Sequence, residues 1–420
     1  MNSSPAELPS NAGADQRLRI ALIRAKYNPF GGAERFVQTA VAALAEEGVS
    51  MTVLTRSWLD ASSAGAARPT IDHVILNPRY MTSTGRDKSF AAAVQAHVAH
   101  THYDLVQSHE RIVGCDVFRA GDGVHATWLE HRCRVTSGFK QLGVRLNPHH
   151  RYLLAAERAV FESPKLRAVI CNSQMVKADI SRRFQIDPTK LRVILSAVDA
   201  AIFHPGLRRL HRAQTRKALR IPETAPVALF VGSGFERKGL IGFLTSLAEQ
   251  SGHARSTREN VHGIVVGHDK HLARFQSFAD QLGLSDRVSF VGGVSDVKPF
   301  YAAADVFVLP TLYDPLPNAC LEAMACGLPV VTSTGSGAAE LITNGIEGFV
   351  VDALDTPAIA DAIGASLVSA LSDNQMGKNA AAKVAPLTPR AMAASYIALY
   401  RELLGTNGAT GQASDAHAGT

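Results

Sequence analysis

The chain has 420 residues, 46% hydrophobic and 19% charged, the balance of a globular protein and too many residues for one ordinary core. Its longest apolar runs, such as VALFVG (Val227–Gly232) and DVFVLP (Asp305–Pro310), are strand-length and fall short of the roughly 20 residues that span a bilayer. The net charge of +6 points to an acidic partner without naming it.

Residues 1–16 carry neither a basic n-region nor an apolar h-region, so they predict a disordered leader rather than a secretory signal. RLRIALIR (17–24) predicts the first strand, followed by a glycine-containing loop, Asn28–Gly32. A helix from Ala33 to about Glu47 closes at Gly48, and SMTVLTR (50–56) is the next strand. HVILN (73–77), YDLVQS (103–108), CDVFRA (115–120) and RAVICNS (167–173) predict further strands. From His131 to Arg158 the cations Arg132, Arg134, Lys140, Arg145, Arg151 and Arg158 face a single acid, Glu157, with Val135, Phe139, Leu142, Val144 and Leu146 interleaved. Such a segment suits either an anionic membrane surface or a solvated basic face. Nucleic-acid binding is set aside because no matching fold signal accompanies it.

A linker is expected near Ser196–Pro205, in LRVILSAVDAAIFHP (191–205), followed by a basic helix-like stretch. A second strand set then runs VALFVG (227–232), GIVVG (263–267), RVSFV (287–291), DVFVLP (305–310), PVVTS (329–333) and GFVVD (348–352). Short apolar runs alternating with amphipathic stretches are the pattern of parallel α/β sheets. The boundaries expected are one domain over 17–196, a second over 197–387, a final helix over 388–404 and a disordered tail over 405–420. Five cysteines (Cys115, Cys133, Cys171, Cys320, Cys326) form no C-x-x-C pair and predict buried, reduced thiols in a cytoplasmic protein.

Three constellations carry chemistry. In Asp314–Pro–Leu–Pro–Asn–Ala–Cys–Leu–Glu322, Asn318 after Pro317 predicts a helix cap that leaves the amides of Ala319, Cys320 and Leu321 free for an anion. Glu322, one turn in, suits a ribose cis-diol, and Asp314 suits sugar hydroxyls. The plainer alternative for such acids is to offset the helix dipole. In Phe230–Val–Gly–Ser–Gly–Phe–Glu–Arg–Lys–Gly239, a strand ends in a glycine loop presenting Arg237 and Lys238 to a diphosphate, or simply to solvent. Arg237 occupies the third glycine position of a dinucleotide fingerprint, so a dehydrogenase loses its main support. In Asn28–Pro–Phe–Gly31–Gly32–Ala–Glu34–Arg35, two glycines permit close backbone approach to a ligand, or a tight turn. No H-E-x-x-H, C-x-x-C or D-x-D occurs, so no metal site is expected. The absence of G-x-S-x-G argues against a hydrolase.

Together these pieces resemble the retaining family 4 glycosyltransferases of the GT-B fold. The marks are GGAER (Gly31–Arg35), the Arg237–Lys238–Gly239 run, the two acids Asp314 and Glu322 with LEAMACGLPVV (Leu321–Val331), Val288–Gly292, and Ala302–Asp305. Within that family the YNPFGGAER, SGFERKG and CDVFRAGDG segments are most similar to the lipopolysaccharide core glucosyltransferases. The resemblance implies two Rossmann-like domains facing each other across a cleft, with the helix 388–404 packing back on the first. It implies that Arg237 and Lys238 bind the donor diphosphate, that Glu322 holds the ribose and that Asp314 holds the transferred sugar. Leu316, Pro317, Asn318 and Ala319 would meet phosphate and sugar through their backbone, Phe290 and Val291 would frame the base, and Gly31 and Gly32 would close over the phosphates. Asp122 stands where many relatives carry a histidine beside the reacting sugar, and Asp314 stands where the family usually has Glu. A turn-forming Asp between two glycines is the alternative for Asp122.

The function implied is metal-independent, retaining transfer of a hexose, glucose from UDP-glucose, onto a glycolipid such as lipopolysaccharide core heptose. The enzyme would be cytoplasmic, with the 131–158 segment resting on the anionic inner membrane. The alternatives are another nucleotide sugar (GDP-mannose or UDP-GlcNAc) with a different polysaccharide or small-molecule acceptor, a nucleotide-sugar epimerase, and a non-catalytic nucleotide-sugar-binding protein.

Overall fold

The computed structural model describes residues 18–27, 40–58, 72–252 and 261–405. The expected leader 1–16, the Gly31–Gly32 loop and the tail beyond Gly405 lie outside the described residues.

The strands are β1 (Arg19–Ile23), β2 (Lys26–Tyr27), β3 (Ser50–Thr55), β4 (Ser57–Trp58), β5 (Asp72–Ile75), β6 (Leu105–Ser108), β7 (Val117–Arg119), β8 (Ala168–Cys171), β9 (Leu191–Val193), β10 (Val227–Val231), β11 (His262–Val266), β12 (Val288–Gly292), β13 (Val306–Leu309), β14 (Val330–Ser333) and β15 (Gly348–Val351). Seven form one parallel sheet in the order β5-β3-β1-β6-β7-β8-β9, and six form a second in the order β12-β11-β10-β13-β14-β15. β2 and β4 make a separate short pair. In β10 and β13 every residue is buried, because helices cover both faces of a parallel sheet and leave no polar side for alternation. β9 was not foreseen: its three residues lie within the apolar run read as leading into the linker, and they pair with β8 at the sheet edge.

Each sheet reverses its strand order once in the middle. β1 lies between β3 and β6, and β10 lies between β11 and β13. At such a point the crossovers diverge to opposite faces and leave a crevice at the carboxyl ends of the strands, which is where open α/β sheets bind ligands.

Both faces of the first sheet are covered. Phe90, Val94, Val160, Phe161, Val176 and Ile180 pack one face, and on the other Met392, Ala393, Tyr396, Ile397, Leu399 and Tyr400 pack with Ile20, Leu22, Val53 and Leu105. The helix Pro389–Leu404 that supplies this second group carries its start and stop in the sequence. Thr388 caps it by accepting from the Ala391 amide at 3.1 Å, Pro389 opens it, and Gly405 ends it with φ 73°. The last described helix thus belongs to the core of the first sheet.

The basic stretch after the linker is the helix Leu207–Ala218. Arg208, Arg212 and Arg216, four residues apart, share one face and converge on the fully buried carboxylate of Asp305, at 2.9, 2.8 and 2.7 Å. Asp305 also accepts from the Val227 amide at 3.0 Å, so the start of β10 is tied to the turn before β13. This cluster of cations is an internal anchor of the second domain rather than a docking face.

Candidate active site

The second domain contributes two loops that are joined along their backbones. After β10 the chain turns through Gly234 (φ 75°) into the short helix Phe235–Lys238 and leaves it at Gly239 (φ 79°). A side chain at Gly239 would place its first carbon 1.9 Å from the Pro310 carbonyl oxygen, so only glycine lets the two loops touch. The Leu312 amide and the Thr311 hydroxyl both donate to the Arg237 carbonyl, at 2.8 and 3.0 Å. Arg237 in turn donates to the Tyr313 carbonyl at 3.2 Å and lies 3.4 Å from Asp314 Oδ2, while Lys238 Nζ donates to the same carboxylate. Burial lowers the Lys238 ammonium below its ordinary range, with Asp314 opposing that shift and Arg237 adding to it. A cation held in this state gains from an anion that arrives beside it.

The helix Asn318–Ala325 follows. Pro317, not Asn318, occupies the cap position, and Asn318 is the first helical residue. The Cys320 amide is bonded to the Pro317 carbonyl at 3.0 Å, so the expectation that it stands free is corrected. Proline at the cap has no N–H to lose and its φ of −70° already suits the entry. Glu322 is buried in this helix, and its Oε2 accepts from the Tyr301 hydroxyl at 2.8 Å.

The first domain faces these loops with the carboxyl ends of its strands. Arg24 follows β1, His109 and Arg111 follow β6, Arg119 ends β7, and Asn172 and Ser196 lie beyond β8 and β9. The turn Ala120–Gly–Asp–Gly–Val124 is closed by the Gly123 amide donating to the Ala120 carbonyl at 3.2 Å and presents Asp122. Asp122 is open to the cleft but deep in the surrounding protein. Burial alone would raise its carboxyl, and Arg24, Arg111, Arg237 and Arg119 together outweigh that and hold it below the usual carboxylate range. The buried Glu157, the lone acid of the basic segment, receives Arg111 Nε and the His125 amide at 3.0 Å each, so it anchors the arginine and the start of the helix His125–Arg134.

His109 is held neutral. Burial first, then the charges of Arg119 and Arg24, push its imidazole well below the ordinary value. Gln107 accepts from the Tyr400 hydroxyl through Oε1 at 2.8 Å, which turns the amide nitrogen toward His109 Nε2 at 3.0 Å. Nε2 is therefore the acceptor and the ring proton sits on Nδ1.

Between the domains lies a cleft of about 660 Å³, lined by both. Asp122, Arg237, Lys238, Asp314, Leu316, Pro317, Asn318 and Ala319 all reach it. Glu322 sits behind the cleft lining, one helical turn from Ala319. Phe290 and Val291 are part of β12, and the residues that follow them, Gly293, Val294 and Val297, form the wall. Gly31 and Gly32 lie outside the described residues. The sequence reading missed Arg24, Arg111, Arg119, His125, Trp128 and Tyr313 as cleft residues. The signal that finds Arg24 and Arg119 is a charged residue at the carboxyl end of a parallel strand. Among the described residues no group of three or more His, Cys, Asp or Glu could hold a metal ion.

Two family models match the chain in succession: Glycosyltransferase Family 4 over residues 30–202 and Glycosyl transferases group 1 over residues 211–383. The chain belongs to the family 4, group 1 glycosyltransferases. The lipopolysaccharide glucosyltransferase WaaG of Escherichia coli (strain K12) is 29% identical over 336 residues, covering 79% of this chain and 84% of that protein. A D-inositol 3-phosphate glycosyltransferase of Salinispora tropica is 27% identical over 370 residues, covering 81% and 74%. The crystal structure of WaaG superposes with a TM-score of 0.76 at 26% identity and covers 91% of this chain and 99% of that one. The transferase therefore has the GT-B architecture, two Rossmann-like domains, and Asp122, Asp314, Arg237 and Lys238 meet where the domains face each other.

Proposed function

We propose that this glycosyltransferase moves a hexose, glucose from UDP-glucose, onto a hydroxyl of a glycolipid of the lipopolysaccharide core kind, with retention of configuration and without a metal ion. The observation that carries this reading is the meeting of Asp122 with Arg237, Lys238 and Asp314 in one cleft. Arg237 and Lys238 would take the diphosphate, with Lys238 passing from Asp314 to the phosphate and leaving Asp314 for the sugar hydroxyls. Glu322, held by Tyr301, would meet the ribose, and Gly31 and Gly32 would close over the phosphates from the other side. As the bond from the anomeric carbon to the diphosphate breaks, positive charge grows on the sugar ring, and the ionised Asp122 would stabilise it. The acceptor oxygen would bond to that carbon on the same face, and its proton would pass to the leaving phosphate oxygen. The similarity to WaaG supports the lipopolysaccharide acceptor.

Among the described residues no helix is long and apolar enough to cross a membrane. The segment 131–158 would instead rest on an anionic bilayer. It forms the last turns of the helix His125–Arg134, then Gly138–Leu146 and Pro148–Phe161, and it exposes Phe139 (97%), Leu142 (56%) and Leu146 (63%) beside Lys140 and Arg151. Arg134 is not part of that face, because it is engaged by both oxygens of Asp352 in the second domain, at 3.0 and 2.9 Å.

A second reading, a small phosphorylated acceptor, has its own support: Arg24, Arg111 and Arg119 line the acceptor side, and inositol phosphate glycosyltransferases are among the relatives. The experiment that tests both is UDP release from UDP-glucose with purified lipopolysaccharide core or with inositol 3-phosphate as acceptor. Stimulation by the core alone supports the first reading, and stimulation by the phosphate alone replaces it with the second.

A further inference from the structure

Tyr313, the residue before Asp314, belongs to the second domain but ends inside the first. It is 2% exposed. Its hydroxyl accepts from the Val124 amide at 2.9 Å and donates to Asp179 Oδ2 at 3.1 Å. Asp179 lies on the helix Gln174–Arg183, where Arg182 and Arg183 hold its other oxygen, at 2.5 and 3.5 Å. The His131 ring stacks on Tyr313, with centroids 5.6 Å apart. The tyrosine therefore grips the Asp122 turn and a neighbouring helix at once.

The fit leaves no slack. Gly123 has φ 71°, and a side chain there would put its first carbon 2.5 Å from the Tyr313 hydroxyl and 2.8 Å from Pro315 Cγ. Gly337 is similarly closed off: its added carbon would lie 1.6 Å from the Pro315 carbonyl. The turn bearing Asp122 and the loop bearing Asp314 thus touch at Gly123, Tyr313 and Pro315 with no room for a side chain between them. Asp122 is two residues from Val124, and Asp314 is adjacent to Tyr313 in the chain.

We propose that Tyr313 is the positioning residue that sets the spacing of Asp122 against Asp314 across the cleft, so that both carboxylates address one sugar ring. This rests on the reading of those two acids as donor-site groups. The part of Tyr313 is to fix the two loops. The interdomain bonds Arg134–Asp352 and Gln174 N to Glu340 (2.8 Å) lie on exposed ground, whereas this one is buried beside the cleft.

The test uses the full chain carrying Tyr313→Phe, which keeps the ring and its stacking and removes both hydrogen bonds. Hydrogen exchange at the Val124 amide is expected to quicken by about tenfold or more while the β10 and β13 amides keep their protection. X-ray scattering is expected to report a wider interdomain distribution. UDP is expected to bind as to the wild type within about twofold, while turnover of UDP-glucose, read as released UDP, falls about 10- to 100-fold, a loss in kcat rather than KM. An unchanged Val124 exchange rate, or undiminished turnover in a Phe variant whose exchange has quickened, would overturn the proposal. A wild type silent toward UDP-glucose would count against the donor reading alone, and exchange and scattering would then decide for or against Tyr313.

Discussion

On the wall of the cleft formed by the second domain, the cations answer an acid directly: Lys238 and Arg237 share Asp314 within one joined pair of loops. On the opposite wall the arginines are braced from behind. Glu110 lies 3.5 Å from Arg24, Glu157 holds Arg111, and the Ser196 hydroxyl accepts from Arg119 at 3.3 Å, so Asp122 sits in their joint field without being the sole partner of any one of them. Under the proposed function, the first arrangement would exchange partners when a diphosphate enters. The second is a frame that fixes a potential. A mobile counter-charge suits binding, and a preorganised field suits a transition state.

The sharpest way to break this contrast is to remove one charge from each wall. Lys238→Ala is expected to lower UDP-glucose turnover by about 10²- to 10³-fold and to weaken UDP binding as well. Asp122→Asn is expected to lower turnover by about 10²-fold with UDP binding unchanged. Isothermal titration with UDP beside the turnover assay separates the two, and equal losses of UDP affinity in both variants would erase the distinction.

The basic face gives a smaller effect. Reversing Arg132, Lys140 and Arg151 to Glu is expected to reduce binding to anionic phospholipid vesicles by about 10²-fold or more in a sedimentation assay, at about 1 kcal/mol for each cation lost. Reversing Arg134 alone is expected to change interdomain order more than vesicle binding, because Asp352 already holds it.

The least effect is on stability against pH. His109 and His125 titrate below their unfolded value of about 6.5, His125 at about 3, with burial as the main cause for each. Below about pH 6.5 the unfolded chain takes up protons that the folded chain refuses, so stability falls from pH 7 to pH 5, by about a few degrees in Tm. Asp122 acts in the same direction at lower pH: its depressed value stabilises the fold above about pH 4, and the contribution is lost as pH falls below that. His125→Gln is expected to flatten the loss between pH 7 and pH 5 in a thermal melt, and an unchanged slope would contradict the buried neutral state.

The two walls also differ in how far the sequence discloses them. The second domain's loops are contiguous stretches, 232–239 and 314–322, each directly after a buried apolar run, so the strand–loop–helix order exposes them. The first wall is gathered from residues 24, 109, 111, 119, 122, 172 and 196, single side chains after separate strands, and only the strand order of the folded sheet brings them together. Asp122 stood out only through the family resemblance, because it takes the place where many relatives carry a histidine; the glycines that flank it read equally as a turn. Tyr313 did not stand out, because nothing local marks a residue whose partners are 134 and 189 positions away. The parallel strands were legible because full burial demands unbroken apolar runs. β9 was not, because three edge residues look like a linker until β8 pairs with them.

Calorimetric titration of UDP, GDP, ADP and NAD, followed by the matching nucleotide sugars, decides whether this cleft is a nucleotide-sugar site. Selective binding of UDP and of one UDP-sugar is expected, with a saturating ligand at about 100 times Kd stabilising the fold by about 2.7 kcal/mol, lost in Lys238→Ala. Binding of NAD alone, or of none of these, would contradict that assignment.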